Sequence, residues 1–485
     1  MSTNSMIQDL AKIVGAKRVH DDPATLEAYS KDHSFVPLRK PLAVVRPDNT
    51  NQIKEIIDWA NKALVPLIPT SSGFPKFHGD TIPTVPGIVV DLSDLDQVLR
   101  VDRRNKIAII EPGVTFESLR KALEEHGMVP YTPLLPRSTK SVLASALERE
   151  PITVPKDHWD FNDPIAGGEV IIGDGHIQGF GDSAGHTKEE VARGEAIPVI
   201  PLGPSCIGWL NMVQGAQGTL GIVRWASVRC RLKPSIQKPF LIAAQDLKDI
   251  MPFLQRMMKL RFTEEVFILN GFGLANLLYE DVNEIKKICA VVPPWVLFIN
   301  VSGYERYPEE EVEWKEEQIK NAALEQGLEL KDALDGVSAA GLLSTLEKTA
   351  DKDRRLRFKD SCQILPFMTT LDRTPELTTT VTRMAADCGY SSTDVSIYIQ
   401  PVIQGCLCEC EVLYPYNTQD KQEVQKVKNL FMTAAEQLGH MGAYYSRPYG
   451  MLADITYKDI QVANVLRKIK GILDPNDIMN TGKLY

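Results

Sequence analysis

The stretch VQGAQGTLGIVRWASVRC, positions 213–230, constrains the chain more than any other. Gly215, Gly218 and Gly221 recur at three-residue spacing and lead into a β-like segment, Ile222 to Cys230. Glycine weakens a strand interior, so several at its start mark a bend or a close approach of backbone to another group. The strand therefore begins where something packs against bare main chain. At 485 residues the sequence also exceeds one compact core, and two or more domains are expected.

Composition narrows the function classes. A net charge of −9 argues against nucleic acid as the main ligand, because a phosphate-binding face shows as basic excess. No stretch of ~18 apolar residues is present to span a bilayer, and the first twenty residues interrupt their apolar periodicity with charges, unlike a signal peptide. Eight cysteines without a CxxC pair read as reduced thiols of a cytoplasmic protein. They do not form an iron–sulfur ligand cluster, so any such centre receiving electrons belongs to another chain.

The order of elements is informative. After a helical lead-in of about forty residues, PLAVVRPD reads as a strand, NTNQIKEIIDWANKAL as an amphipathic helix opened by Asn49 or Thr50, and VPLIPTSSG as a second strand. This βαβ unit favours a parallel pair. A strand, turn, strand and helix capped by Thr115 follow over 87–127. In GGEVIIGDGHIQGFG, Asp174-Gly175 signals a hairpin. Positions 129–165 read as irregular. Composition shifts near 235, where mixed helices and strands run to about 440, and the last fifty residues form a separate segment.

The loop PTSSGFPKFHGD leaves a strand without entering a helix, so it is not a GxGxxG dinucleotide fingerprint. Its small residues suit either a surface loop or a nest of backbone N–H groups around a phosphate. YIQPVIQGCLCECEVLYPY reads as one strand carrying Cys406, Cys408 and Cys410 on one face and Glu409 and Glu411 on the other. Cysteines spaced about 7 Å apart in a row, without a second ligand pair, read as core thiols rather than a metal site.

Taken in order, VVRPDNTNQIKEIIDWANKALVPLIPTSSG, GIVVDLSDLDQVLRVDRRNKIAIIEPGVTFESLRKAL, GGEVIIGDGHIQ, GAQGTLGIV and ILDPNDIMNTGK resemble the FAD-linked oxidase family of the vanillyl-alcohol oxidase and p-cresol methylhydroxylase type. The resemblance implies an α+β fold: a two-subdomain FAD-binding domain from 1–235 and 441–485, with an antiparallel-sheet cap over 236–440. It implies FAD contacts from Ser71, Ser72, Gly73 and Phe74 at the pyrophosphate, from Ser141, Val142 and Ser145 on the other side, and from Gly218, Thr219, Gly221, Ile222 and Lys483. No His or Cys stands at the usual attachment positions near Gly73, and His78 lies four or five residues late, so non-covalent FAD is expected, with Tyr398 or another cap residue the alternative anchor.

On the substrate side, YYSRPYG matches a family segment in which a Tyr–Arg pair binds a phenolate. This places Arg447 with Tyr445 and Tyr449 at the substrate, a guanidinium being suited to an anionic oxygen. Glu409, Glu411 or His158 is the base; His158 is open between acting near the flavin, ordering its loop and capping a turn with Asp157. Two departures matter. The metal-binding His pair of the D-2-hydroxy-acid branch is missing from the cap, which disfavours that substrate class. Arg137 and Lys140 stand in the loop where the phenol oxidases carry an acid, which points to an anionic substrate. The implied activity is hydride transfer from a small alcohol or 4-alkylphenol to FAD, with O₂, a cytochrome, an electron-transfer flavoprotein or an iron–sulfur subunit as acceptor, in a homo- or hetero-oligomer. A hydroxy-acid dehydrogenase subunit without its metal, or a non-catalytic flavin relay, are the alternatives.

Overall fold

The computed structural model describes residues 3–182, 185–195 and 208–484. The βαβ unit forms, but its strands are not neighbours. Ala43–Val45 and Leu67–Thr70 both pair in parallel with Ile88–Asp91, which lies between them. The connecting helix, Thr50–Ala63, starts where the Asn49 side chain accepts from the N–H groups of Asn51 and Gln52. It buries Ile53, Ile56, Ile57 and Ala60, one stripe at helical spacing, against Val45, Leu67, Ile88 and Val90. Each fully buried side chain of this size contributes about 1.5–3 kcal/mol, and Ile478 and Met479 from the far end of the chain join the same core.

A second sheet is antiparallel and six-stranded, with Gly221–Leu232 between Ile107–Ile110 and Ile165–Ile172. The Asp174-Gly175 hairpin joins Ile165–Ile172 to Ile177–Gly181, and Gly175 takes the left-handed conformation, φ 89°. Within the stretch read as irregular, the structure forms a short helix, Val142–Leu147, capped by the Ser141 hydroxyl.

The cap is built on a third sheet, also antiparallel, ordered Ile236–Ala244, Trp295–Gly303, Val266–Asn270, Ser396–Val402, Leu407–Tyr416, Ser361–Thr370. Leu247–Leu260, Thr374–Asp387 and Lys421–His440 cover one face; Gly271–Leu278, Val282–Cys289 and Ala339–Leu346 cover part of the other. The cysteine-rich stretch is not one strand but two. Ile403, Gln404 and Gly405 have φ of 49°, 55° and 82° and turn the chain, so that Ser396–Val402 pairs with Leu407–Tyr416. Cys406 is exposed beside the turn, while Cys408 and Cys410 are buried under the helices. Glu409 and Glu411 point the opposite way, opposite Gln400 and Tyr398 of the partner strand. After His440 the chain still pairs with the cap through Tyr444 and Met368 before it returns to the first domain.

Candidate active site

The C-terminal end of Leu67–Thr70, the helix Val142–Leu147, the start of Gly221–Leu232 and Arg355 of the cap line a cavity. The glycine run closes its floor. Gly218 has φ 70°, and a Cβ there would lie 2.4 Å from Pro69 Cγ; one at Gly221 would lie 2.4 Å from the Ile171 carbonyl oxygen. The close approach anticipated at these glycines is thus to neighbouring strands, which lets Gly218, Gly221 and Ile222 reach the cavity wall.

Of the other residues assigned to the cofactor, Ser71 and Ser72 line the cavity. The loop is not a free nest: the Gly73 N–H donates to the Thr139 carbonyl (2.9 Å), and Ser72 Oγ accepts from the Ser141 N–H. Phe74 is partly exposed and packs edge-on against Tyr29 at 5.0 Å. Ser141 is fully buried, donating to the Pro112 carbonyl, and Val142 sits in the core. Ser145 Oγ donates to Glu150 at 2.6 Å. Thr219 Oγ1 donates to the Ala216 carbonyl, and Lys483 Nζ to that of Gly79 in a neighbouring space. Gly73, Phe74, Ser141, Val142, Ser145, Thr219 and Lys483 therefore support the wall rather than form it.

The cavity is graded along its length. Leu143, Val213, Leu220 and Val223 make one end apolar; hydroxyls from Thr70 to Ser72 line its middle. There Lys76, 8% exposed, donates to Thr70 Oγ1 at 2.6 Å, and burial pulls its pKa down to about 8 against the opposing charge of Asp91. At the far end the wall becomes charged: Lys140, Glu148, Glu150 and Arg355, with Arg137 beside them. An apolar slot for a base, a buried cation midway and a charged end suit a dinucleotide cofactor. The donor set fits FAD.

Behind the charged end lies a small chamber that shares Arg137, Lys140, Glu150 and Arg355 with the cavity and adds Glu409, Glu411, Tyr398 and Arg447. Glu150, Glu409 and Glu411 line this chamber and Glu148 the adjoining cavity, so that two Glu-x-Glu pairs lie at their boundary, each with its members in opposite electrostatic settings. Glu409 is buried, which pushes its carboxyl up to about 7 even though Arg447 lies at 3.1 Å and the Ser446 hydroxyl at 3.2 Å. Glu411 is equally buried, but Arg355 (3.0 Å) and Arg354 outweigh that and hold it well below the usual carboxylate range. Burial raises Glu148, only partly offset by its ion pair with Lys140; Glu150 is held low by Lys140 and Arg355 despite burial. Environments that split paired carboxylates in this way separate proton acceptors from fixed charges.

Arg447 is 2% exposed. Its Nε donates to Glu409 and Nη2 forms an ion pair with the same carboxylate at 3.1 Å, whereas Nη1 has no hydrogen-bond partner among the described residues. A buried guanidinium donor without a partner costs ~1–3 kcal/mol or more, so it marks a place for an acceptor. Tyr449 lines the cavity with His78 stacked on it, ring centroids 4.3 Å apart; burial and the cations Arg447, Lys140 and Arg355 hold that imidazole neutral at pH 7.

His158 and Tyr445 stand elsewhere. His158 Nδ1 accepts the Ile403 N–H at 3.1 Å beside the cap hairpin, burial keeps the ring neutral, and it lines neither space. The Tyr445 hydroxyl donates to the Ala435 carbonyl within the cap core. Sequence reasoning missed Glu148, Glu150, Arg354 and Arg355. The acids follow the helix directly as Glu-Arg-Glu, a pattern visible in ALERE; nothing local marks the arginines. His78, Glu148 and Glu150 bring potential metal-ligating atoms within 4.8 Å of one another, but Lys140 already forms ion pairs with both carboxylates.

Residues 41–178 match the FAD binding domain family. The glycolate oxidase subunit GlcD of Bacillus subtilis (strain 168) is 28% identical over 260 residues, 52% of this chain and 51% of that protein. The 4-cresol dehydrogenase [hydroxylating] flavoprotein subunit of Pseudomonas putida is 22% identical over 57% of this chain and 51% of its own length. The chain spans about half the length of such relatives. In three dimensions the likeness extends over the whole chain: the 4-ethylphenol oxidase of Gulosibacter chungangensis superimposes with a TM-score of 0.82 at 18% identity, covering 99% of this chain and 96% of that one. The chain thus carries an FAD binding domain over residues 41–178 and shares the α+β fold of the 4-ethylphenol oxidase along its whole length.

Proposed function

We propose that the chain oxidises a small alcohol or 4-alkylphenol-like substrate whose acidic hydroxyl is held in the chamber by Arg447. The observation that carries this reading is the buried Arg447–Glu409 pair, with Nη1 unpartnered and the carboxyl near pH 7. FAD, when bound, supplies acceptance of the hydride. Arg447 Nη1 donates to the substrate oxygen and stabilises the oxyanion there. Glu409 takes the hydroxyl proton, its pKa matched to neutral pH. Glu411, held ionised by Arg354 and Arg355, fixes the position of Arg447 at 3.8 Å rather than exchanging a proton. Tyr449 shares the wall and is buried, which keeps its phenol protonated as a donor.

Non-covalent FAD remains our reading: the buried Tyr398 hydroxyl donates to Gln400 at 2.6 Å. Electrons pass on to a separate acceptor, consistent with the flavoprotein-subunit names among the relatives. A second reading, a 2-hydroxy-acid substrate, is favoured by Arg137 and Lys140 in the wall and by the glycolate oxidase relative. The test is anaerobic titration of the FAD-loaded protein with 4-alkylphenols and 2-hydroxy acids. Bleaching by a phenol, lost in Arg447→Met, supports the first reading; bleaching by hydroxy acids alone replaces it with the second.

A further inference from the structure

Two guanidinium groups of the charged chamber keep buried donors without an acceptor. Arg447 Nη1 and Arg355 Nε have no hydrogen-bond partner among the described residues, and the two side chains are 1% and 10% exposed. Arg355 stands on the boundary with the larger cavity, whereas Arg447 lines the chamber and not that cavity. The two groups converge on one oxygen, Glu411 Oε2, with Arg355 Nη2 at 3.0 Å and Arg447 Nη2 at 3.8 Å. Around them the chamber is lined by five cations, Arg137, Lys140, Arg354, Arg355 and Arg447, and by four acids, Glu150, Asp353, Glu409 and Glu411. With every acid ionised one positive charge is in excess, and two when Glu409 carries a proton. Glu148, which pairs with Lys140 from the adjoining cavity, lowers both figures by one but leaves the step at Glu409 in place. Charges buried this closely call for counter-charge at hand.

We propose that the chamber is an anion site: with FAD in place it takes one small monovalent anion, a carboxylate or a halide, on Arg447 Nη1, together with a proton on Glu409. The anion cancels the charge that the proton adds and fills the guanidinium donor left open there. Once protonated, Glu409 no longer offers Arg447 a full counter-charge, and the anion replaces it. The groups that face Glu409 leave the proton to it. Glu411 on its own strand and Glu150 after the Val142–Leu147 helix are held low by their cations, and burial keeps Tyr398 of the paired strand protonated. From the returning segment it meets the Ser446 hydroxyl and Arg447. Glu148 is also raised by burial, and Glu409→Gln separates the two. Competition with the substrate rests on the placement of the substrate oxygen at Arg447; the anion site itself does not.

The test is chloride NMR line broadening by the FAD-loaded protein, with Arg447→Met as reference and flavin absorbance showing that the variant still holds FAD. Wild type should broaden the line more than the variant does, acetate and formate should displace that excess along a one-site curve, and the variant should bind chloride at least about tenfold more weakly. In wild type the affinity should fall by up to about tenfold per pH unit above 7, where Glu409 loses its proton. In Glu409→Gln, which keeps the volume and carries no charge, it should stay level from about pH 6 to 9. Equal broadening by wild type and Arg447→Met is surface adsorption and overturns the site. So does an excess that acetate and formate leave in place, or a wild-type excess that is level across the same pH range. Should Arg447→Met lose FAD, the contrast in pH dependence between wild type and Glu409→Gln decides alone. Chloride should also raise KM for whichever substrate bleaches the flavin and leave kcat unchanged. Bound chloride that leaves KM unchanged supports the anion site and overturns the placement of the substrate at Arg447.

Discussion

Replacing Glu409 by glutamine removes one proton site and almost no volume, which makes it the sharpest test of the chamber. The carboxyl stands near 7, about 2.5 units above its ordinary 4.5, because burial outweighs Arg447. At 1.36 kcal/mol per unit, ionising it in the folded state costs about 3 kcal/mol more than in the unfolded chain. The sign follows from the direction of the shift. A raised acid binds its proton more tightly when folded, so its stabilisation is full below pH 4.5 and is lost as pH rises through 7. Wild type should therefore lose about 3 kcal/mol relative to Glu409→Gln across that window, and an infrared titration should show one protonated carboxyl disappearing near pH 7 in wild type only. Chemistry runs the other way, because only the ionised form accepts a proton. Flavin reduction by 4-ethylphenol, followed by anaerobic stopped flow, should fall about tenfold per pH unit below 7 and level off above it. Glu409→Gln should lose that limb together with about 10²–10⁴ in rate. An inflection near 7 that persists in the variant, or a wild-type profile flat from about pH 5.5 to 8.5, refutes Glu409 as the base.

Other outcomes follow from the same structure. Lys76→Met should weaken FAD retention at least about tenfold by removing a buried charge-assisted donor, and wild-type binding should take up a proton above pH 8, where the free lysine is neutral; equilibrium dialysis across pH checks both. Gly218→Ala, forced to φ 70° with its Cβ 2.4 Å from Pro69, should cost at least about 1–2 kcal/mol and release FAD on gel filtration. Cys408→Ala and Cys410→Ala should leave FAD content and metal analysis unchanged and cost about 1 kcal/mol or a little more each, because both thiols pack in the cap core. His158→Asn should leave the pH profile of flavin reduction in place, since the ring accepts a backbone N–H of the cap hairpin outside both spaces; a lost limb would return it to the chemistry.

Much of the first domain was legible because its signals are local. Asn49 before an amphipathic stripe, Asp174-Gly175 between apolar runs and three spaced glycines ahead of a strand each act within a few residues. The cap hairpin was misread because its turn, Ile403-Gln404-Gly405, puts two non-glycine residues at positive φ, a conformation their side chains do not announce. The alternation of Cys408 and Cys410 against Glu409 and Glu411 nevertheless survived, since strand geometry sends successive side chains to opposite faces whatever the register.

The site is another matter. Sequence alone determined that a flavin-type fold was in prospect, because motif order is written along the chain. How differently the paired carboxylates hold a proton was decided only by folding. Glu409 and Glu411 are two residues apart on one strand, yet two arginines from 354 and 355 reach one of them and Arg447 alone lies close to the other. A pKa depends on burial and on charges brought within a few ångströms, and the segments that bring them here are separated by tens to hundreds of residues.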